Sequence, residues 1–335
     1  NNKENTLLGK SRIAYNDINE FSDNKQDLPF DCSTAFNTWI NQNNLNYKPN
    51  RFVRQIYHKG NILIVEIETT THTEVLEYSK VFVGAGCINT TALIDRSFYS
   101  NGIRKYFLKA APIFLQTYLQ ISCRNKKSDS LPSNKYSLSK YFLEFRSVLT
   151  HNLWSHTQIG DLNRVIVKKA VAKFPRLLSG IILLIKDLFQ FSITVFHSDL
   201  GPISTLTIQT TGEQALNIRQ KVSIKELDYL INPFLSFSVK KAVLSKFGTL
   251  GLIPIPFSQF IGSFIRGNKL GGWHHGGTLP FNEAPSKPTD PLPSGEISGM
   301  RNVFIIDSST FPSVPGSSVA LLTMANAYKI AKNSL

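Results

Sequence analysis

The sequence predicts an α/β chain interrupted by an α+β insertion, and three observations carry that prediction. The run VFVGAG, Val81 to Gly86, is apolar throughout and passes at its glycines into a helical segment, the pattern of a strand buried on both faces. A second apolar run, NVFIIDSS from Asn302 to Ser309, stands near the other end of the chain and leads into a C-terminal helix. Between them, helical and strand patterns mix without βαβ regularity.

Taken in order, the first thirty residues are polar and weakly patterned, and STAFNTWINQ, Ser33 to Gln42, predicts the first helix. Arg51–Tyr57, Asn61–Thr69 and Thr73–Tyr78 alternate apolar and polar residues and are separated by HKGN and TTTH, which predicts a β-meander. After VFVGAG, Asn89–Arg96 is helical. From about Ile103 to Phe264, SKYFLEFRSVL (139–149) and LNRVIVKKAVAKF (162–174) carry helical patterns, whereas FQFSITVFHS and ISTLTIQTT carry strand patterns. Leu177–Phe196 holds Lys186 and Asp187 at its centre, each costly in a bilayer, so it predicts a buried helix followed by a strand rather than a membrane span. Then come a glycine-rich loop, GGWHHGG, a loop rich in proline and turn residues, and the C-terminal helix from about Ser318 to Lys332, with Ser317 or Ser318 as its cap.

A chain of 335 residues with 42% hydrophobic and 11% aromatic residues buries a large core and is not disordered. Its 37 Lys and Arg against 23 Asp and Glu give a net charge of +14, but the basic residues are scattered and no nucleic-acid-binding motif accompanies them, so solvated faces explain the charge. Cys32, Cys87 and Cys123 have no CxxC spacing, which indicates neither a disulfide framework nor a zinc site and is compatible with a reducing compartment such as the cytoplasm. The sequence begins without methionine on a polar run, so the absence of a targeting signal decides nothing.

VFVGAGCINT does not serve as a dinucleotide fingerprint by itself: Asn89 stands where the third glycine belongs, and Arg104 and Lys105 stand where an acidic residue would meet ribose. A tight strand-to-helix turn is the plain alternative. His274 and His275 lie in WHHGGT, where glycines allow close backbone approach; the pair is either a surface or capping feature or includes a catalytic base, and with no third ligand nearby no metal site is expected. His197, Ser198 and Asp199 are sequence neighbours on alternating faces and cannot form a relay. Asp307 ends a strand and precedes PGSS, whose helix presents free N–H groups and a positive dipole end suited to developing negative charge.

These pieces, GAGCINTTALIDRS, then HHGGT, then NVFIIDSSTFPSVPGSS leading into LLTMANAYKIA, occur in one order, and from about Tyr47 to the C-terminus the chain resembles the glucose-methanol-choline (GMC) family of FAD-dependent oxidoreductases. The resemblance implies a Rossmann-like FAD-binding domain, formed by residues 1–105 and 266–335 and lacking its first βαβ unit. A substrate domain with an antiparallel sheet and helices, residues 106–265, interrupts it. It implies His274 as catalytic base, with Ser318 where the family places a second His or Asn. It implies FAD contacts at Val53 beside adenine and at Gly84, Ala85 and Gly86 beside the adenosine half. Asp307 and Ser308 would lie along the pyrophosphate and ribityl chain, and the turn of Gly316 and Ser317, with Ser318, beside the flavin.

The implied reaction is oxidation of a CH–OH group of an alcohol or sugar-like substrate, with no reading of the electron acceptor. No GxGxxG unit is present, since Gly9 alone precedes Gly60. The chain is therefore expected to be a fragment, one half of a split protein whose other part carries that unit, or a decayed copy acting as a non-catalytic binding or scaffold remnant.

Overall fold

The computed structural model describes residues 6–10, 32–42, 45–110, 113–120, 141–146, 154–161, 171–172, 175–185, 189–196, 204–210, 217–222, 252–254, 274–316 and 319–334, and all structural statements concern these. The chain divides into two compact units, one of Asn1–Tyr47, Ile113–Phe196 and Ile231–Leu270, the other of Lys48–Pro112, His197–Leu230 and Gly271–Leu335. Strands β1–β16 and helices α1–α4 are numbered in chain order.

The first unit is built on one antiparallel sheet. Its strands are β1 (Thr6–Lys10), β7 (Ile113–Gln120), β8 (Tyr141–Arg146), β9 (Trp154–Asp161), β10 (Phe189–Phe196) and β13 (Leu252–Pro254), arranged β1-β8-β9-β10-β7-β13. Period-two alternation sends Leu143, Thr157 and Ile159 to a fully buried face and leaves Phe142, Glu144, His156 and Gln158 half-buried on the other. Helices α1 (Cys32–Asn41) and α3 (Arg176–Ile185) belong to this unit, and α3 followed by β10 is the helix-then-strand expected of Leu177–Phe196. Two expectations are corrected. Of the segment 139–149, the described part, YFLEFR, is the strand β8 rather than a helix, because pairing with β1 and β9 on both sides decides between the two periods. The weakly patterned N-terminal stretch contributes β1, whose adjacent Leu7 and Leu8 show no period-two alternation and which pairs with β8. Most of LNRVIVKKAVAKF lies outside the described residues.

The second unit contains the expected meander, β2 (Phe52–Lys59), β3 (Ile62–Glu68) and β4 (Thr73–Tyr78), in that sheet order. Gly60 at φ 63° opens the two-residue turn between β2 and β3, a conformation that favours glycine. β3 is central and buries Leu63, Ile64, Val65 and Ile67. VFV and the run before Asp307 are β5 (Val81–Val83) and β16 (Met300–Ile305). They pair in parallel with Val303 opposite Val81, and β15 (Glu296–Ile297) lies on the far side of β16. Helix α2 (Cys87–Phe98) follows β5, and its buried Leu93 and Ile94 join Ile56, Leu63, Val65, Val303 and Ile305 in one core. A further sheet runs β12 (Asn217–Val222), β11 (Ser204–Thr210), β6 (Gly102–Ala110) and β14 (His275–Gly276).

Helix α2 is tied to these sheets by polar groups as well. The fully buried Asp95 accepts from Arg104 Nε at 2.6 Å and Nη2 at 2.9 Å, from Tyr106 Oη at 2.6 Å and from Thr210 Oγ1 at 3.0 Å. A buried carboxylate needs such saturation, and here it cross-links α2, β6 and β11. Helix α4 (Val319–Ser334) closes the chain. The described residues thus combine helices with antiparallel sheets and one parallel strand pair.

Candidate functional site

Asp307 follows β16 and is 6% exposed. Its Oδ2 accepts the Gly86 N–H at 2.9 Å and the Thr90 hydroxyl, and its Oδ1 accepts the Ser309 N–H at 2.9 Å and the Ser309 hydroxyl. One carboxylate therefore stops β16, shapes the 3-10 turn Ser308–Thr310 and sits at the N-terminus of α2, where the helix dipole favours negative charge. Gly86 takes φ 83°, and the space where a Cβ would project is empty within 4 Å. Gly84, Ala85 and Gly86 are exposed, and the Ala85 N–H is spent on Thr90 Oγ1 at 3.1 Å.

The HHGGT segment is laced to that same turn. Gly277, Leu279 and Phe281 donate their N–H groups to the carbonyls of Ser308, Ser309 and Thr310 at 2.9, 2.9 and 3.0 Å, and Ser308 Oγ donates to the His275 carbonyl at 2.8 Å. Its glycines serve the close approach of the chain to itself: a Cβ on Gly276 would lie 2.6 Å from the Ser308 carbonyl oxygen, and one on Gly277, at φ 70°, would lie 2.9 Å from that of Phe311. The buried Thr278 hydroxyl accepts from Thr91 at 2.7 Å and ties the segment to α2.

β14 carries His275 opposite Ala110 of β6. Within β14, His275 and Gly276 point to opposite faces; the Gly276 face is that of Ser308 and Val314. Both imidazoles are half-buried. Burial holds the His274 pKa below the usual imidazole value, and burial together with the neighbouring His274 does the same to His275. The two rings are thus held neutral near pH 7, the state a proton acceptor requires. His275 Nδ1 is buried with no hydrogen-bond partner among the described residues. The Cys87 thiol at the start of α2 is pushed up to about 12 by burial and then by Asp307, which makes it a packing residue and no nucleophile.

The structure brings His274, Gly84, Ala85, Gly86, Asp307 and Ser308 into one neighbourhood of the second unit, whose described bonds run from α2 through Asp307 to the histidine segment. Gly316 is buried. Val53 lies on β2 at a register shift, and its carbonyl accepts from Arg96 Nη2 at 3.3 Å. Ser317 and Ser318 lie outside the described residues. Sequence reasoning missed Thr90 and Ser309. An Asp two residues before a Ser N–H is a readable local turn signal, whereas nothing along the chain announces that Thr90 meets Asp307.

The fold agrees with the resemblance that the motifs carry: it is shared with solved oxidases and an FAD-dependent oxidoreductase. Among solved structures, the chain is similar to pyridoxine 4-oxidase from Mesorbium loti, with a TM-score of 0.52 and 13% identity over 84% of this chain and 57% of that one. It is similar to an FAD-dependent oxidoreductase from Chaetomium thermophilum, TM-score 0.52 and 14% identity over 90% and 63%, and to formate oxidase from Aspergillus oryzae, TM-score 0.52 and 13% identity over 88% and 61%. At these identities the likeness is one of fold, and the chain spans 57–63% of the length of these structures. No family model and no curated protein matches the sequence. Among the described residues no helix is long and apolar enough to cross a membrane, and no cluster of three or more metal-ligating side chains occurs.

Proposed function

We propose that the chain is the larger part of an FAD-dependent oxidoreductase that oxidises a CH–OH group of an alcohol or sugar-like substrate. The supporting observation is that the glycine turn is bonded to Asp307 and the histidine segment to the adjoining turn 308–310, because a base and a cofactor edge have to meet in one place. The second unit carries the flavin contacts in this reading.

The residues present fit part of FAD. The exposed Gly84–Gly86 turn has open space above Gly86, which suits close approach of a nucleotide, and the buried Nδ1 of His275 has no hydrogen-bond partner among the described residues. The N-terminus of α2 does not fit a phosphate, since the Asp307 carboxylate already occupies it and would repel one. FAD would accordingly be held along Val53, Gly84–Gly86, the backbone of Asp307 and Ser308, and the Gly316–Ser317 turn. Its pyrophosphate requires a glycine-rich unit beyond these residues, supplied in the same or a separate polypeptide. When bound, the flavin supplies a hydride acceptor.

This chain's own part in the chemistry is proton management. His274, neutral because it is half-buried, takes the substrate hydroxyl proton at an imidazole nitrogen, and Ser318 hydrogen-bonds the substrate hydroxyl without acting as a base. The backbone lacing between 277–281 and 308–310 fixes the histidine segment, so the base is positioned by main-chain bonds rather than by a flexible loop. The experiment is anaerobic mixing of the flavin-loaded full protein with a panel of primary alcohols, sugars and polyols while the flavin absorbance is followed. Bleaching by at least one CH–OH donor supports the reading; flavin that stays oxidised with every donor contradicts it.

A further inference from the structure

The sheet β12-β11-β6-β14 has two unlike faces. Strand β6 alternates Arg104, Tyr106 and Leu108 on one face with Ile103, Lys105, Phe107 and Lys109 on the other. Strand β11 follows the same period, burying Ser204, Leu206, Ile208 and Thr210 and leaving Thr205, Thr207 and Gln209 half-buried. The first face is the core side: it packs Leu108, Leu206 and Ile208 with Cys87 and Ala92 of α2, and its Arg104, Tyr106 and Thr210 bond Asp95. The second face stands in water, with Ile103 63% and Phe107 59% exposed and Lys105 exposed between them. Lys109, toward the β14 edge, donates to the Pro312 carbonyl. Strand β12 extends this face, with Lys221 registered opposite Thr205 and Arg219 opposite Thr207. Four cationic residues from two distant parts of the chain thus share the alternate positions of one sheet face, and no acidic residue stands at any of those positions on β6, β11 or β12. Exposed apolar side chains rimmed by such charge mark an interaction surface.

We propose that this face docks the protein on an anionic lipid bilayer, with Ile103 and Phe107 entering the headgroup boundary and the cationic positions around them meeting lipid phosphates. Two observations select this occupant. The face is positive and carries nothing of opposite sign, in a chain of net charge +14, so it is complementary to a negative surface. Its exposed apolar side chains are one aliphatic and one aromatic beside lysines, a mixture suited to a bilayer interface: the apolar groups leave water, the lysine stems lie along them and the ammonium groups reach the headgroups. A single-stranded nucleic acid suits it less, because Phe107 offers a ring for a base to stack on and Ile103 offers none. Docking by a sheet face needs no membrane-crossing helix, and none occurs among the described residues. The inference uses exposure, register and charge alone and goes beyond the reaction proposed above, so the two stand or fall separately.

The test is flotation of the full protein with vesicles of pure phosphatidylcholine and with vesicles of equimolar phosphatidylcholine and phosphatidylglycerol. The protein is expected to float with the mixed vesicles and not with the neutral ones, and to float less as salt is raised. Lys105→Glu combined with Phe107→Thr should lower the affinity for the mixed vesicles by about tenfold or more, and Phe107→Thr alone, which keeps the charge, by about threefold or more. The control pair Lys287→Glu, Val75→Thr, which alters an exposed lysine and an exposed apolar side chain elsewhere, should leave it nearly unchanged. In the unaltered protein, the mixed vesicles should shield Lys105, and not Lys287, from an amine-reactive label read by mass spectrometry. No flotation with the mixed vesicles, flotation with both kinds alike, an equal loss in the control pair, or equal labelling of Lys105 with and without vesicles overturns the inference. So does a Lys105→Glu, Phe107→Thr protein that loses polyuridylate binding and keeps vesicle binding, which would make the face a nucleic-acid site. The same pair should leave the melting temperature unchanged, since both side chains already lie in water; a large fall would show the face covered within the protein and overturn the inference.

Discussion

At Asp307 four donors converge on one buried carboxylate, from Gly86, Thr90 and twice from Ser309. Asp307→Ala leaves them unpaired together, and the expected loss of stability is about 3 kcal/mol, within reach of a urea titration. A loss under about 1 kcal/mol would remove the carboxylate from the centre of the account. Gly276→Ala drives a Cβ to 2.6 Å from the Ser308 oxygen and is expected to cost about 1–3 kcal/mol by overpacking, also seen as a lower urea midpoint. The histidines carry a pH signature. Because burial lowers their folded pKa values below the unfolded value of about 6.5, the unfolded chain binds more protons between the two, and stability rises with pH across that window. Stability is therefore complete above about pH 6.5 and falls as the pH drops from there through the folded values. The double variant His274→Gln, His275→Gln should flatten this part of the melting-temperature profile; an unchanged slope would place both rings in solvent.

At the scale of elements, what was legible in the sequence followed local pattern. The meander β2–β4 announces itself by alternation, β5 and β16 by unbroken apolar runs, and α3 with β10 by a hydrophobic stretch too charged for a membrane. Tyr141–Arg146 was not legible as a strand, because its aromatic run satisfies helical and strand periods alike and only pairing with β1 and β9 decides. The candidate site divides the same way. His274 and Asp307 stand in readable motifs, but the bond from Thr90 to Asp307 spans 217 residues, and the bonds of Gly277, Leu279 and Phe281 to 308–310 are contacts no sequence period encodes. The structure gives two glycines a specific reason: Gly276 and Gly277 are demanded by the carbonyls of Ser308 and Phe311.

For the whole molecule, one unit of antiparallel sheet and one unit that gathers the motifs make a chain with the fold of larger FAD-dependent oxidoreductases and about three-fifths of their length. In the proposed reading, the Asp307 carboxylate at α2 and the absence of a GxGxxG unit from the sequence leave an FAD pyrophosphate without a cradle among the described residues. FAD titrated into the 335-residue chain, followed by flavin fluorescence, is accordingly expected to bind weakly or not at all; stoichiometric, tight binding would show that a cradle exists here after all. The central claim is that His274 is the base of a flavin-dependent CH–OH oxidation. Its most direct test is the anaerobic rate of flavin reduction in the flavin-loaded full protein, which isolates the chemical step from reoxidation. His274→Ala should lower that rate by about 10² to 10⁴ with flavin content nearly intact, and His275→Ala, the proposed non-catalytic neighbour, should lower it far less. Equal effects of the two variants, both below about threefold, would contradict the assignment.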